Sequence, residues 1–481
     1  MSNHPTLAAI LARLEGALHV TPGGKLKVQD ERHLREKSRL LAEASALGDT
    51  TEQGQARWLI WEAALALGIS PASIQGLYAA RGRGETRVNF TVPAMNLRAL
   101  TYDSARAAFR AAARIEAGAL IFEIARSEMS YTAQRPSEYV ASVLAAAIAE
   151  GHRGPVFIQG DHFQVNHKKY LANPEAEVNA VKELATEAIA AGFYNIDVDT
   201  STLVDLSQPT IPEQQRENTQ RCAELTAFIR GLEPSGVTIS VGGEIGEVGG
   251  RNSTEQELRA FMDGYRADLV EQRVNGKRKR DMAGMSKISI QTGTSHGGVV
   301  LPDGRMATVA VDFDTLKRLS QVARTEYGLA GAVQHGASTL PEDAFGKFAE
   351  CEACEVHLAT NFMNMLYNSI DSEMRDEVYE WLRGNAADER KATDTDEQFY
   401  YKTRKKALGP FKERMWTMDA GQRDELAAAW EKQFGFLFDR LNVKGTAELV
   451  AKFVEPVAVH KTLAEFGGDE KEAEDVTGLA D

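Results

Sequence analysis

Short apolar segments alternate with alanine-rich amphipathic segments through the middle of the chain. The apolar segments have the composition of β-strands and lie at 88–95, 118–125, 155–160, 193–199, 237–243, 287–293, 331–335 and 354–360. Helical patterns such as 104–115 and 176–191 separate most of them, and 341–349 supplies a short helix before the last strand. This alternation favours parallel strands with right-handed crossovers. Eight such units predict an α/β fold, a closed (β/α)8 TIM barrel.

The pattern changes on both sides of this barrel. Residues 1–86 are predicted to form a helical N-terminal extension, and a flexible basic linker at 81–87 leads into the barrel at 87–365. Residues 366–465 are predicted to form a helical C-terminal region that packs on the barrel or on a neighbouring subunit. The last segment, 466–481, is acidic and is expected to be a flexible tail.

Composition narrows the class of protein. With 55 basic and 69 acidic residues the chain of 481 carries a formal charge of −14, which disfavours binding to nucleic acid. No apolar run reaches the roughly 18 residues that a membrane helix needs. Three cysteines cannot form a disulfide framework and fit a reducing compartment. We therefore expect a cytoplasmic protein, and we interpret Cys351 and Cys354 as buried, reduced thiols, with a redox or zinc pair as the alternative.

Polar residues gather where the predicted strands end. The active site of a (β/α)8 barrel forms at the carboxyl ends of its strands, so reactive side chains at these positions are candidates for the active site. Strands three, five, six and seven are followed by such groups, and strand eight contains a histidine: Gly160-Asp161-His162, Gly243-Glu244, Ser295-His296-Gly297, His335-Gly336-Ala337-Ser338 and His357.

Three of these histidines suggest a metal centre beside a phosphate site. A lone histidine is more often structural, but His162, His296 and His335 would meet at the barrel axis and supply three neutral nitrogen ligands for a catalytic zinc ion. Glycine follows His296 and His335 directly, and such turns expose backbone N–H groups that cradle a phosphate, with Ser338 offering a hydroxyl. A metal next to a phosphate cradle points to a phosphorylated sugar as the substrate.

Over roughly 88–365 the chain resembles the class II (metal-dependent) fructose-bisphosphate and tagatose-bisphosphate aldolases. Six segments occur in the order of that family: Val92-Pro-Ala-Met-Asn96, Gly160-Asp-His162, Gly243-Glu-Ile-Gly-x-x-Gly-Gly250, Gly293-Thr-Ser-His-Gly297, His335-Gly-Ala-Ser338 and Leu358-Ala-Thr360. Each segment is weak by itself, whereas six in sequence are fairly specific.

The resemblance implies a set of site residues. It implies a divalent ion, zinc first and Co²⁺, Fe²⁺ or Mn²⁺ as alternatives, on His162, His296 and His335, and it leaves room for a monovalent cation. Glu244 is implied as an alternate ligand or as a neighbour that orients one, and Asp161 as the acid/base at the hydroxyl of the cleaved bond. The implied substrate-binding residues are Asn96, Gly297, Gly336, Ser338 and Thr360. The family also implies a homodimer or homotetramer.

A late segment, Tyr400-Tyr-Lys-Thr-Arg404, looks like the part of the family whose arginine reaches the substrate phosphate of a neighbouring subunit. An ordinary exposed arginine is the alternative for Arg404. This match is the weakest of those that the resemblance offers.

Two departures from the family pattern affect the chemistry. The acidic pair that normally follows the glycines is replaced by Arg251-Asn252-Ser253, so the glutamate that moves the proton on the triose carbon is missing where expected. The candidates to replace it are Glu247, Glu255 and Glu257. His357 stands where the family has an asparagine that helps to hold the enediolate, and an imidazole can also donate a hydrogen bond there.

These features lead to a main hypothesis and two alternatives. The first is a class II ketose-bisphosphate aldolase that cleaves fructose 1,6-bisphosphate, or a close relative, reversibly to dihydroxyacetone phosphate and glyceraldehyde 3-phosphate through a metal-stabilised enediolate. The second is a metal aldolase of the same fold that acts on a different phosphorylated sugar. The third is an aldolase-like subunit that binds a phosphosugar without catalysis.

Overall fold

The computed structural model describes residues 5–246, 251–274, 277–278, 282–294, 311–338, 340–467, 474 and 476–479. Before the barrel the described chain forms helices, a small hairpin and one further strand: α1 (Pro5–Arg13), β1 (Leu18–Val20), β2 (Leu26–Val28), α2 (Glu31–Leu47), α3 (Thr50–Ala66), β3 (Ile69–Ala72) and α4 (Gln75–Gly82). The extension is therefore less purely helical than its pattern indicated. Strand β3 pairs in parallel with the strand that begins at Gly154, so the extension joins the central sheet.

The central part alternates strands and helices as predicted. Its elements are β4 (Val92–Asn96), α5 (Thr101–Ala113), β5 (Ile121–Ala125), α6 (Arg126–Tyr131), α7 (Pro136–Glu150), β6 (Gly154–Gln164), α8 (His167–Ala172), α9 (Pro174–Ala191), β7 (Asn195–Asp199), α10 (Ile211–Leu232), β8 (Ser240–Glu244), α11 (Glu255–Glu271), β9 (Arg273–Val274), β10 (Lys277–Arg278), β11 (Lys287–Ile290), α12 (Phe313–Tyr327), β12 (Ala332–Gln334), α13 (Phe345–Glu350), β13 (Glu355–Leu358) and α14 (Thr360–Ser369).

A helical region follows, with α15 (Ser372–Asn385), α16 (Asp396–Thr403), α17 (Lys412–Trp416), α18 (Ala420–Arg440) and α19 (Thr446–Phe453). Short 3-10 turns lie at Ser201–Leu203, Glu342–Ala344, Ala387–Glu389, Arg404–Ala407 and Leu463–Phe466. Helix α18 packs along α5 on the outside of the barrel. The division of the chain at 86, 365 and 465 stays a prediction.

Eight parallel strands of the described chain close into a barrel. The order is β4, β5, β6, β7, β8, β11, β12 and β13, and β13 pairs with β4 to complete the circle. Every predicted strand coincides with one of these, which confirms the predicted fold. All strand residues of β4, β5, β8, β11, β12 and β13 are buried, because helices cover the outside and side chains fill the interior.

The prediction of a flexible basic linker at 81–87 is wrong for its first residue. Arg81 lies in α4 and is fully buried, and its guanidinium donates to the backbone carbonyls of Ala330, Phe90, Val88 and Glu352. An arginine with five N–H donors can satisfy several strand-end carbonyls at once. Arg81 thus ties the extension to the amino-terminal end of the barrel, a role that its sequence neighbours do not reveal.

The acidic tail also makes contacts that a flexible segment would lack. Glu474 forms an ion pair with Arg126, and its backbone carbonyl accepts a 2.7 Å hydrogen bond from the Ser130 hydroxyl. Asn166 Nδ2 donates to the Thr477 carbonyl at 2.8 Å. These partners follow β5 and β6, so the described part of the tail lies at the carboxyl-terminal side of the barrel.

Two further expectations can be compared with the described residues. Cys351 and Cys354 are both buried and free, and burial raises the pKa of the Cys354 thiol to about 12, which keeps it protonated. Among the residues that the structure describes, no helix combines the length and apolar character needed to cross a bilayer.

Candidate active site

Asp161 and His162, adjacent residues of β6, both line one cavity at the carboxyl end of the barrel. Neighbouring residues of a regular strand point to opposite faces. Here the register against β7 shifts between Gly160 and Phe163, and His162 has a φ of 38°. A bulge of this kind re-aims side chains and is common beside active sites. Gly160 permits it, because a Cβ there would lie 2.3 Å from the Phe163 ring.

Two of the three predicted metal ligands face each other in this cavity. His162 Nε2 lies 3.1 Å from Nδ1 of His335, which follows β12 directly. Both imidazoles are buried, and Asp161 offers a carboxylate oxygen within reach of both ring nitrogens. The third predicted ligand, His296, and the predicted phosphate-binding residue Gly297 lie outside the described residues.

An aspartate that the sequence analysis did not select orients His162. Asp199, the last residue of β7, lies 2.9 Å from His162 Nδ1 through its Oδ2 atom. Gln164 and Ser201 donate to the same carboxylate. A carboxylate on one ring nitrogen places the proton there and leaves the other nitrogen free to bind a metal. The pair Asp199–His162 therefore presents Nε2 to the cavity.

The charge of the cluster favours a cation. Burial opposes protonation of His162, but the carboxylates of Asp161, Asp199 and Glu244 outweigh it and raise the pKa of the imidazole to about 10. Glu244, at the end of β8, lies 3.4 Å from His162 Nδ1, and burial raises its own pKa, with the charge of Asp199 adding to the effect. Two ring nitrogens at hydrogen-bond distance among several carboxylates are a donor set that fits a divalent ion.

His357 lines the same cavity and lies among carboxylates. Its Nδ1 is 3.1 Å from both Glu123 Oε1 and Asp161 Oδ1, and its ring centre is 4.0 Å from that of His335. Burial opposes the charged ring, but Glu123 and Asp161 raise the pKa of His357 well above its usual value. His357 is therefore a cation that contacts the predicted acid/base.

A second layer of charge lies deeper in the barrel. Lys287, at the start of β11, donates to Gln159 Oε1 at 2.8 Å and to Asp197 Oδ2 at 3.0 Å, and it pairs with Glu355. Glu355 Oε1 also lies 2.8 Å from His357 Nε2. Lys287 and Glu355 are fully buried. The chain Lys287–Glu355–His357–Asp161 thus connects the barrel interior with the cavity.

The predicted substrate-binding residues Asn96, Gly336, Ser338 and Thr360 all line the same cavity. Gly336 has a φ of 70°, a conformation that suits glycine in the turn after His335. The Ser338 hydroxyl accepts a 2.7 Å hydrogen bond from the Ala359 N–H, and Thr360 is the first residue of α14. A helix N-terminus at the cavity wall favours an anionic group.

Arg404 does not reach this cavity. Its guanidinium donates to Asn364 Oδ1 and packs 4.6 Å from the centre of the Tyr401 ring, and the residue is buried within its own chain. The exposed alternative is wrong for the same reason. Arg404 therefore links the end of α16 to α14, and its predicted contact with the substrate phosphate of a neighbouring subunit stays a prediction.

The candidates for the missing loop glutamate have other partners. Glu257 accepts from the Thr254 N–H, closing the N-terminus of α11, and it pairs with Arg251. Glu255 pairs with Arg259 at 2.9 Å. Glu247 lies outside the described residues. Glu255 and Glu257 therefore stabilise the start of a helix in this structure.

The residues that the sequence analysis missed share one signal. Glu123, Asp197, Asp199, Lys287 and Glu355 are charged residues inside or at the ends of short apolar strands. A buried charge in such a strand needs a partner, and in a barrel its partner lies on another strand. The sequence shows that these apolar strands contain charged residues, but it does not show which residue on another strand pairs with each of them.

Comparison with known proteins identifies the family of the chain. The family model "Fructose-bisphosphate aldolase class-II" matches residues 85–417, more than half of the chain. No curated protein matches the chain. A solved structure of a probable tagatose 6-phosphate kinase from Sinorhizobium meliloti is 17% identical and covers 76% of this chain and 90% of its own, with a TM-score of 0.51, which supports the fold. A fructose-bisphosphate aldolase from Campylobacter jejuni is 16% identical and covers 79% and 97%, with a TM-score of 0.45. The chain belongs to the class II fructose-bisphosphate aldolase family.

Proposed function

We propose that this chain is a metal-dependent aldolase that cleaves fructose 1,6-bisphosphate, or a close relative, reversibly into dihydroxyacetone phosphate and glyceraldehyde 3-phosphate. The observation that carries the proposal is the 3.1 Å approach of His162 Nε2 and His335 Nδ1 beside Asp161 in one cavity. Family membership supports an aldolase, and the cavity contains two of the implied metal ligands and the implied acid/base.

His162 and His335 would hold the ion, together with His296 as the resemblance implies and Glu244 as an alternate ligand. Imidazole ligands suit Zn²⁺ best among common ions, and Co²⁺, Fe²⁺ and Mn²⁺ accept the same set. A divalent ion bound there supplies a Lewis acid for the ketose carbonyl. Asp199 keeps the His162 ring in the orientation that this requires.

Asp161 would act as the base in the cleavage direction. The C4 hydroxyl must lose its proton as the C3–C4 bond breaks, and a carboxylate within hydrogen-bond reach can accept it. His357 lies next to Asp161 Oδ1, and Asn96 Nδ2 donates to Oδ2 at 3.5 Å. These two contacts orient the carboxylate, and the charge of His357 favours its ionised form.

One observation favours a second candidate function, an aldolase of the same chemistry with a different phosphorylated ketose. His357 replaces the family's asparagine, and Asn252 stands in the region of the missing acidic pair, where its Nδ2 donates to Asp312 Oδ2 at 3.1 Å. A bulkier, charged imidazole changes the shape and charge of the wall that faces the reacting carbons.

The test is a coupled assay for dihydroxyacetone phosphate released from fructose 1,6-bisphosphate by zinc-loaded protein. We expect release that a chelator abolishes and zinc restores, and we expect His335→Ala to lose the metal. His152→Ala is the matched control, because His152 is a half-buried histidine whose ring lies 4.9 Å from that of Phe109, outside the cavity. Bound metal with turnover of another ketose bisphosphate would support the second candidate. Absence of both metal and turnover would refute both.

A further inference from the structure

Three further side chains of the kind that bind metals meet in the candidate cavity, beside the pair of His162 and His335. They are Glu123 of β5, Asp161 of β6 and His357 of β13, and all three are buried and line the cavity. Glu123 Oε1 and Asp161 Oδ1 each lie 3.1 Å from His357 Nδ1. Two carboxylate oxygens and one ring nitrogen therefore converge from three different strands.

Two of these atoms are buried without an aligned hydrogen bond. Neither Glu123 Oε1 nor His357 Nδ1 has a hydrogen-bond partner among the residues that the structure describes. Such atoms are rare in folded proteins, and a bound ion is one explanation for them. Divalent ions with bonds of about 2.0–2.2 Å hold neighbouring ligand atoms about 3.0–3.4 Å apart. The 3.1 Å separations at His357 fall within that range.

The contacts behind these atoms orient them for metal binding. His357 Nε2 lies 2.8 Å from Glu355 Oε1, so this nitrogen carries a proton and Nδ1 faces the two oxygens. A carboxylate that accepts from the far nitrogen of a ligating histidine is the usual arrangement in metal sites. The second oxygen of Glu123 accepts a 2.9 Å hydrogen bond from Gln159 Nε2. The ring and the carboxyl group are therefore held with one ligand atom each towards the same point.

The charge at this point favours a cation. Burial, and then the charge of Asp161, raise the pKa of Glu123 to about 8, because two carboxylates share a space with little solvent. The nearby ammonium of Lys287 pairs with Glu355, deeper in the barrel. A divalent ion between Glu123 and Asp161 would neutralise both carboxylates, and it would displace the Nδ1 proton of His357, as metal binding to histidine does.

Asp161 connects this cluster with the predicted metal ligands. Its Oδ1 atom lies 3.1 Å from His357 Nδ1 and 3.9 Å from His162 Nε2, and its carboxylate is also within reach of His335. The ring centres of His335 and His357 are 4.0 Å apart. In two-metal sites the ions lie about 3.5–4 Å apart. The two sets of ligands are therefore close enough to form a binuclear centre.

We propose that Glu123, Asp161 and His357 form a second divalent-metal site, which shares Asp161 with the set of His162 and His335. Three protein ligands leave a coordination position open towards the cavity. Imidazole favours transition metals and carboxylates accept Mn²⁺, so a divalent transition-metal ion such as Mn²⁺ suits the mixed set. Because His357 stands where the resemblance places an asparagine, this ligand set belongs to the present chain. The inference goes beyond the proposed function, since the ion would bind whether or not any sugar is cleaved.

The second site is compatible with the role proposed for Asp161. Oδ1 is the oxygen that lies near His357, whereas Oδ2 accepts from Asn96 Nδ2 at 3.5 Å. An ion bound to Oδ1 would keep the carboxyl group ionised and leave Oδ2 to accept the substrate proton.

Metal content and electron paramagnetic resonance test the site. Protein that is freed of metal by a chelator, reloaded with Mn²⁺ and desalted should hold two ions per chain by elemental analysis, and these should give a magnetically coupled signal. His357→Asn and Glu123→Gln should each hold one ion and lose the coupling. In calorimetric titration with Mn²⁺, the affinity for the second ion should fall at least about 100-fold, because loss of a direct ligand costs more than the roughly 10–100-fold of an orienting partner.

Two control variants make the ion count specific. Glu128→Gln removes a carboxylate from the same cavity, one that pairs with Arg98 at 2.7 Å, and should keep both ions. His335→Ala should lose the ion of the proposed aldolase centre and keep the ion at Glu123 and His357. Circular dichroism checks that each variant is folded. If one ligand variant does not fold, the other carries the test, and the coupled signal of the unaltered protein needs no variant.

The outcomes separate this proposal from the proposed function. A single ion per chain that His335→Ala abolishes would overturn the second site, and so would two ions without magnetic coupling or two ions that His357→Asn retains. None of these results depends on turnover, so each leaves the proposed aldolase function intact. A single ion that His357→Asn removes and His335→Ala keeps would support this site while refuting the metal assignment of the proposed function.

Discussion

Replacing Lys287 by methionine should destabilise the barrel strongly. The side chain is 1% exposed and its ammonium contacts Gln159, Asp197 and Glu355 inside the barrel. Methionine keeps most of the volume and removes the charge and the donors. Both carboxylates then stay buried, and the remaining cation near Glu355 is His357, 2.8 Å away.

The size of the effect follows from this geometry. Removing one partner of a buried ion pair costs about 3–5 kcal/mol, because the other charge remains without compensation. Part of this cost can be avoided by protonation: burial already raises the pKa of Asp197 to about 6, and Lys287 opposes that rise. Without Lys287 the pKa of Asp197 rises further. A carboxyl whose folded pKa lies above its unfolded pKa loses stability as pH rises, so the variant should lose more at pH 8.5 than at pH 5.5.

Urea unfolding followed by tryptophan fluorescence at the two pH values measures this effect. The double variant Lys287→Met/Glu355→Gln should recover part of the loss, since one of the two orphaned carboxylates is then neutral. A free energy of unfolding of Lys287→Met within about 1 kcal/mol of that of the unaltered protein at pH 8.5 would contradict the reasoning, because loss of the ammonium that neutralises two carboxylates inside the barrel cannot cost so little.

Two further predictions concern the cavity. Asp161→Asn should keep its metal, by elemental analysis, yet lower kcat by roughly 10²–10⁴-fold, since the amide cannot accept the proton. Asp199→Ala should weaken zinc binding about 10–100-fold in competition with a chromogenic chelator, because His162 loses its orienting partner.

The sequence predicted the barrel well because its strands are short, apolar and separated by long helical patterns. Each of the eight predicted segments overlaps a barrel strand, and predicted groups such as Asp161 and His335 line the cavity at the carboxyl end of the barrel. The predictions fail where the role of a residue depends on backbone groups that are distant in the sequence. Arg81 looked like part of a polar linker, yet it is buried because carbonyls at the amino-terminal end of the barrel accept its donors.

The same limit explains why the candidate site was only half predicted. Asp161 and His162 were identified because adjacent polar residues end a strand, but the bulge that turns both inward is a property of the pairing with β7. Asp199 carries no motif, and its importance comes from its contact with His162. Arg404 shows the reverse case. Its segment matches the family pattern, but its guanidinium donates to Asn364 in the same chain.

His357 shows why departures from a family pattern should be considered together. Considered alone, a histidine in place of the family's asparagine suggests an impaired site. In the structure it lies between Glu123 and Glu355, with Lys287 on the far side of Glu355. A barrel interior that contains these carboxylates needs cations, and the imidazole and the ammonium supply them. The substitution is therefore one member of a compensated set, and its charge favours the ionised form of Asp161, which is the form that Asp161 needs in its proposed role as a base.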